Sequence, residues 1–483
     1  MAEMTETTET AGPSKKGKFF YGWWIVAGGF LIMATCYTIF VNCIPLFQAH
    51  IVEDLGISMG QFNTGVSLCT VVAIFASLIF GKLIDKFSVR ILGAITVITT
   101  SIVLVLFSFI TQMWQLYTLC IIAGLVVVAG TRLLISVLTT NWFTLKRGLA
   151  VSIALSGSGA GGVILSPITT NMIVNYSWRT AFLLLAVIVL IAALPITLVA
   201  FRNRPSDKGL EPYGTGRTEK AAVDRSPDAP VTVSVGWKAL FKHLGFWTLI
   251  LGMVMMGIVN GAIITNSVSN MTSVTLNGVE VILGGHDPIW AGNVWALYLG
   301  VVIVAKITLG AIYDRFGLRV GSIFGTATCF FAGVSLCFAS TDWGPILGAV
   351  FFGFGTCMGT VTPPIMVVKE YGKKDLGIIV GIVTAFELLG AAVGAVVSGF
   401  LFDAFLSFIP AWIMTIVASL VMGVTLLASI PAARRLVALR KANGAPELNA
   451  EGFEIAAPTA PAVPAMPDFP AVPSAAPAVP PQA

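Results

Sequence analysis

The chain has 483 residues, of which 56% are hydrophobic and 11% charged, with a mean hydropathy of +0.90. Soluble domains carry about 25% charged residues, so a soluble enzyme and a disordered scaffold are both excluded and an integral membrane protein remains. The formal net charge of +5 would suit an acidic partner such as nucleic acid, but the positions of the bases assign it to membrane topology.

In chain order, residues 1–20 read as a polar cytoplasmic tail. Lys15, Lys16 and Lys18 precede Phe19, Phe20, Tyr21, Trp23 and Trp24, an aromatic belt where the first helix enters the membrane. The apolar run from Tyr21 is too long for a signal-peptide core, so no cleavable signal is expected. A helix needs about 20 apolar residues to cross the hydrocarbon core. Six such stretches, at 21–46, 62–83, 91–111, 115–140, 149–172 and 178–201, form a first bundle over 21–201. A loop rich in Pro, Gly and charge follows at 202–244. Six more stretches, at 245–270, 291–312, 318–339, 344–368, 377–402 and 410–430, form a second bundle over 245–431. In the Pro/Ala-rich tail, 432–483, Pro458, Pro461, Pro464, Pro467, Pro470 and Pro473 recur at the period of polyproline II. That suits a disordered cytoplasmic spacer or a docking ligand. The expected fold is all-α: twelve transmembrane helices in two pseudo-symmetric six-helix bundles.

With the N-terminus in the cytoplasm, Arg179 is the one base outside, Arg132 and Lys306 lie in spans, and the other 25 of 28 Lys and Arg lie inside. Glu53, Asp54, Glu280, Asp287, Asp342 and Asp403 mark the outer loops. The positive-inside rule therefore accounts for the net charge and puts both termini in the cytoplasm; the expected location is the inner (plasma) membrane. The seven cysteines lie in apolar stretches without a Cys-x-x-Cys pair, and read as free buried thiols rather than disulfides or metal ligands.

The halves repeat at an offset of 229: Gly81-x-x-x-Asp85-Lys86-Phe87-Ser88-x-Arg90 returns as Gly310-x-x-x-Asp314-Arg315-Phe316-Gly317-x-Arg319. The same offset relates Gly124, Gly130, Gly148 and Gly161 to Gly353, Gly359, Gly377 and Gly390. Duplicated bundles of this kind enclose a midplane site and rock against each other. The two segments resemble the signature loop of the major facilitator superfamily, with Ser88 in place of a glycine. The resemblance implies that Gly81, Asp85, Lys86, Arg90, Gly310, Asp314, Arg315 and Arg319 gate the cytoplasmic face. Trp142 to Gly157, together with Tyr21-Gly22-Trp23-Trp24 and Arg204 to Leu210, resembles the bacterial monocarboxylate porters and oxalate–formate exchangers. Gly157-x-Gly159-x-x-Gly162 imitates a dinucleotide fingerprint, but it lies inside a span and reads as close helix packing. No Walker A lysine occurs.

Three charges lie deep inside spans, where each costs about 2.5 kcal/mol or more. Arg132 is ten residues before Trp142, Lys306 eight before Asp314, and Glu387 ten after Gly377. At 1.5 Å per residue all three are roughly 12–15 Å from the cytoplasmic boundary. Snorkelling and a water-filled substrate cavity both fit the two bases. In the porters, the position of Lys306 binds the substrate carboxylate, which implies the same role here. Their transmembrane aspartate is Val302 in this chain, and their first-helix lysine falls on Asn42. Trp295, Leu299, Val302 and Lys306 share a stripe on helix eight. Trp295 then reads either as a cavity wall or as an outer-interface anchor. Asn42, Tyr37, Asn260, Asn266 and Asn270 suit neutral hydrogen bonding, to substrate or between helices.

The expected activity is secondary transport of a small, monocarboxylate-like organic anion held by Lys306, Arg132, Asn42 and Trp295, with Glu387 coupling protons in symport. Exchange or export of a larger amphipathic carboxylate, or a non-transporting receptor or scaffold, are the alternatives. No enzyme activity, cofactor, metal or nucleic acid is expected. The expected partners are the anion, protons and the lipid bilayer, and the expected state is a monomer.

Overall fold

The computed structural model describes residues 20–214, 235–276, 278–372 and 374–443. Phe19, the bases before it and the proline repeat lie outside the described residues. Lipid offers no partner to backbone N–H and C=O groups, so apolar spans satisfy them internally as helices. Among the described residues, eleven helices are long and apolar enough to cross a membrane, by length and composition. The longest, Pro288–Leu336, is two spans joined at Gly317, where φ is 83°.

The helices are α1 (Gly22–Leu55), α2 (Met59–Lys86), α3 (Val89–Phe107), α4 (Met113–Trp142), α5 (Arg147–Asn175) and α6 (Trp178–Ala200) in the first half. The second half holds α7 (Leu244–Met271), α8 (288–316), α9 (318–336), α10 (Trp343–Tyr371), α11 (Leu376–Phe405) and α12 (Ile409–Ala442). Both halves thus begin and end at one face, termed here the terminal face.

Three features depart from the sequence expectation. An antiparallel hairpin, β1 (Ser273–Leu276) with β2 (Val279–Ile282), joins α7 to α8, so the fold is not purely helical. Helix α1 runs on to Leu55, and α12 runs past Pro431 to Ala442, into the segment expected to be tail. The aromatic belt is partly inside the protein: Phe20, Tyr21 and Trp23 pack on Trp142 and Phe143, and only Trp24 is exposed among the described members. Residues 202–214 fold back onto the end of α4, where Tyr213 N–H donates to the Trp142 carbonyl at 2.9 Å and Trp142 Nε1 donates to the Arg202 carbonyl at 3.0 Å.

Glycine sets the closest helix contacts in both halves. Gly157 and Gly161 of α5 lie on the α1 backbone at Phe30 and Ala34, and Gly390 and Gly394 of α11 lie on the α7 backbone at Val254 and Ile258. Gly159 and Gly162 face the other way, toward Leu299 and Ile303 of α8. The glycine string on α5 is a packing surface with two sides, as small-residue stripes in membranes are.

The signature loops differ at the offset pair Ser88 and Gly317. Ser88 caps α3 in extended backbone, φ −64° and ψ 130°, with its hydroxyl and Val89 N–H both directed at Asn203 Oδ1. Gly317 has φ 83° and ψ −179°, a region open to glycine alone. Gly317→Ala should therefore cost about 1–3 kcal/mol of backbone strain, whereas Ser88→Gly should cost no more than about 1 kcal/mol through its lost hydrogen bond. Thermal unfolding of the purified variants should rank them in that order.

Candidate functional site

A cavity of about 260 Å³ lies between the halves at mid-depth. Arg132 of α4, Lys306 of α8 and Glu387 of α11 all line it, so the three intramembrane charges meet at one level. Its walls are largely apolar, with Phe40, Phe62, Phe107, Ile44, Ile51 and Leu116 contributed by the first half. Two of the contributing helices are irregular: α1 carries π-helical turns at Met33–Tyr37 and Ile39–Cys43, and α4 carries one at Gly124–Val128. Such turns rotate the following face of a helix and recur at functional sites. The first turn precedes Asn42, which lies within the second, and the third precedes Arg132.

Among the described residues, neither Arg132 nor Lys306 has a hydrogen-bond or ion-pair partner. Glu387 is buried and bonds to neither base. Its Oε1 accepts from Asn260 Nδ2 at 3.1 Å, and Thr356 Oγ1 donates to Asn260 Oδ1 at 2.9 Å. That second bond fixes which end of the amide faces Glu387. Gly359 of α10 leaves room for the pair, since a side chain there would meet both Glu387 Oε1 and Asn260 Nδ2. Arg132 acts on Glu387 and Lys306 through space only.

Of the other expected site residues, Asn42 lines the cavity and donates from Nδ2 to the Ser158 carbonyl at 3.1 Å. Trp295 does not line it. The indole is 2% exposed, donates from Nε1 to the Asn42 carbonyl at 2.6 Å, and so joins the halves instead of forming a wall or an interfacial anchor. A helical stripe states only which residues share a face, and the first half covers the outer part of this one. The aromatic wall of α8 is Tyr298, which stands four residues before Val302 and eight before Lys306. That i, i+4 spacing was the available signal. Nothing in the sequence distinguishes Thr356 and Asn260 from polar residues that only bridge helices.

The halves separate toward the terminal face. Gly148 of α5, Gly310 of α8 and Gly377 and Gly381 of α11 have open space where a side chain would stand. Toward the other end the same helix pairs touch: Gly162 meets Leu299, Gly292 meets Thr170, and Gly399 meets Gly60 and Asn63. The expected gating residues lie on the separated side. Lys86, Asp314, Arg315 and Arg319 are exposed, and Arg90 Nε donates to the Phe201 carbonyl at 3.4 Å within its own half. The side chains of Gly81 and Asp85 lie outside the described residues. The seven cysteines are free thiols.

Comparison with known proteins follows from this geometry. The model of the Major Facilitator Superfamily matches residues 29–285 and 271–466, nearly the whole bundle pair. The chain belongs to the major facilitator superfamily. It is a multi-pass membrane transporter of that superfamily and not an enzyme. It is similar to monocarboxylate transporter 12 of Rattus norvegicus, 25% identical over 85% of each chain, and to the Homo sapiens protein, 29% identical over 48% of this chain. The human alignment spans 44% of that protein's length. It is also similar to the riboflavin transporter RibJ of Trypanosoma brucei brucei, 28% identical over 44% of this chain and 40% of that one. Among solved structures, nucleoside transporter NupG has a TM-score of 0.59 at 13% identity, covering 85% of this chain and 99% of that one. A bacterial homolog of the human lysosomal transporter Spinster, inward-facing and unoccupied, has a TM-score of 0.58 at 14% identity, covering 87% and 98%. These structures share the fold.

The gap at Gly359 gives this transporter a test of the Glu387–Asn260 pair. Gly359→Ala should cost about 1–3 kcal/mol by overpacking, read as a lowered unfolding temperature. Combined with Asn260→Ala, the penalty should fall below the sum of the two single variants.

Proposed function

We propose that this transporter carries a small, monocarboxylate-like organic anion by secondary active transport. One observation carries the reading: two cations face one mid-depth cavity, and neither forms an ion pair among the described residues. An unpaired charge in a membrane protein is costly, and an anion entering this cavity would offset two of them at once. The relatives named as monocarboxylate transporters support the same substrate class. Lys306 and Arg132 bind the carboxylate from opposite halves, so an anion held by both makes the closing of the halves around it favourable. Lys306 does so as a point charge, without the paired donors of an arginine. Asn42 and Tyr298 line the remainder of the site.

Glu387 is the proton-responsive group. With it ionised, Arg132, Lys306 and Glu387 sum to +1; with it protonated, they sum to +2, the state that favours the anion. Proton and anion binding are then linked with positive sign, which makes the transporter a symporter. The separated face is the cytoplasmic one, where the signature loops act as a gate that forms when the halves close there. The protein resides in the inner (plasma) membrane as a monomer with both termini inside. The apolar wall of Phe40, Phe62 and Phe107 favours a second reading, exchange or export of a larger amphipathic carboxylate.

Uptake of labelled lactate and benzoate into proteoliposomes, with and without an imposed pH gradient, tests both. Lys306→Ala should weaken anion affinity about tenfold or more, the worth of one charge-assisted hydrogen bond, and Lys306→Arg should restore most of it. Undiminished uptake by Lys306→Ala would remove Lys306 from the site. Wild-type uptake should rise as pH falls on the anion-supplying side, and Glu387→Gln should flatten that profile while sparing anion exchange. Accumulation still driven by the pH gradient in Glu387→Gln would end the coupling role. Preference for benzoate, with counterflow independent of the gradient, would favour the second reading.

A further inference from the structure

We propose that Asp403 is a latch that holds the two halves together at the face opposite the termini, and that it sets the balance between the two access states. The proposal is independent of the anion reading.

Asp403 stands in the last turn of α11, and its carboxylate reaches the first turn of α2 in the other half. Oδ1 accepts from Met59 N–H at 3.0 Å and Oδ2 from Gly60 N–H at 2.8 Å. The first four N–H groups of a helix have no partner in their own helix. Ser58 of α2 serves only one of them, accepting from Gln61 N–H at 3.2 Å. The N–H groups of Met59 and Gly60 take their acceptor from across the interface.

The placement is wrong for the helix that carries it. A carboxylate in a last turn opposes that helix's own dipole, whereas at a first turn it is favourable. Asp403 therefore burdens α11 when the halves are apart at this face and is compensated only when α2 is docked. A residue selected for helix stability would not be an acid here. The close approach is built in from both sides, since a side chain at Gly60 would strike Phe400 and Asp403, and one at Gly399 would strike Asn63 and Gly60.

The pseudo-symmetric contact lacks the device. The offset of 229 places Val174 of α5 opposite Asp403, and α8 is capped by its own Asp287, whose Oδ2 accepts from Trp290 N–H at 3.1 Å. One of the two helix pairs that open and close this face carries the latch.

Behind Asp403 the halves are joined by a neutral, buried network. Gln48 Nε2 donates to Asn63 Oδ1 at 2.7 Å and to Asn266 Oδ1 at 3.1 Å, while Asn63 Nδ2 donates to Asn266 Oδ1 and to the Ala395 carbonyl, each at 2.9 Å. Ser269 Oγ donates to Gln48 Oε1 at 2.7 Å, and Ser67 Oγ to the Ala392 carbonyl at 2.9 Å. Amides and hydroxyls of this kind exchange partners with water at small net cost. Asp403 contributes the charge-assisted bonds and lies at the half-buried rim, where water arrives first.

Hydrogen–deuterium exchange of the full-length protein in lipid nanodiscs tests the latch without any substrate. Asp403→Ala should raise exchange in 59–67 and 392–403, and should lower it at the terminal ends of α2 and α11, about 75–86 and 376–385. The opposite sign at the two ends is the signature of a shifted access equilibrium. A shift of about tenfold is expected, from the loss of charge-assisted bonds. Met59→Pro removes one donor while keeping a residue suited to the first position of a helix. It should shift the same segments in the same directions, less than additively with Asp403→Ala. Faster exchange confined to the first turn of α2, with 376–385 unchanged, would make Asp403 a local cap and overturn the proposal. Additive effects of the two variants would overturn it as well.

Discussion

Two positive charges, Arg132 and Lys306, face the same mid-depth cavity from different halves of the molecule, and the rest of the structure is arranged around that repulsion. A membrane-spanning helix tolerates a base only where water or a counter-charge is within reach. Each base is borne by a different half, so the separation of the halves is what supplies the water. Glu387 is near enough to neutralise part of the charge, yet its carboxylate is engaged by Asn260, whose own orientation is fixed by Thr356. The second half thus keeps its acid occupied with a neutral partner, and the cavity stays net positive. The arrangement is not a structural ion pair, in which Glu387 would sit on one of the bases, and it is the one the proposed anion site requires.

The mobility such a site requires is provided by an unequal distribution of contacts. Within each half, glycine lets backbones touch, α5 on α1 and α11 on α7, so each half is packed as a unit. Between the halves, every hydrogen bond whose partners are both described lies at or beyond the cavity on the side away from the termini. Trp295 belongs to that set: its buried indole joins the halves by bonding to the Asn42 carbonyl. Packing inside a half is shape-matched apolar contact with no water to replace it. The hydrogen bonds between halves join groups that water can serve equally well. Rigid units and an exchangeable seam are the physical content of a rocking transporter.

The sequence made the architecture legible because hydropathy, charge asymmetry and the 229-residue offset are properties of whole segments. Depth counting from Trp142, Asp314 and Gly377 puts Arg132, Lys306 and Glu387 at one level because helix rise is constant, and all three line one cavity. What it missed depends on which neighbour covers a given face. Trp295 and Tyr298 are equally aromatic and three residues apart; only the position of α1 decides that one is buried between the halves and the other lines the cavity. Asn260, Thr356 and Asn266 are indistinguishable by composition, yet two hold Glu387 and the third joins the halves. Asp403 read as a loop charge because α11 was expected to end at 402, whereas it ends at Phe405. Three residues of helix turn a solvated acid into an inter-half contact.

The offset pairs also show where duplication was kept and where it was abandoned. Gly161 and Gly390 hold equivalent helix contacts in both halves, because close packing within a unit is required of each alike. Ser88 and Gly317 diverge because one loop turns in extended backbone while the other needs a positive φ. The chemistry is not duplicated at all. The offset takes Arg132 to Val361, Lys306 to Ser77 and Glu387 to Ser158, so none of the three cavity charges has a charged counterpart. A symmetric pair of bundles can alternate between two faces but has no reason to prefer either. Under the proposed reading, direction and coupling come from residues that break the repeat, among them the cavity charges and Asp403.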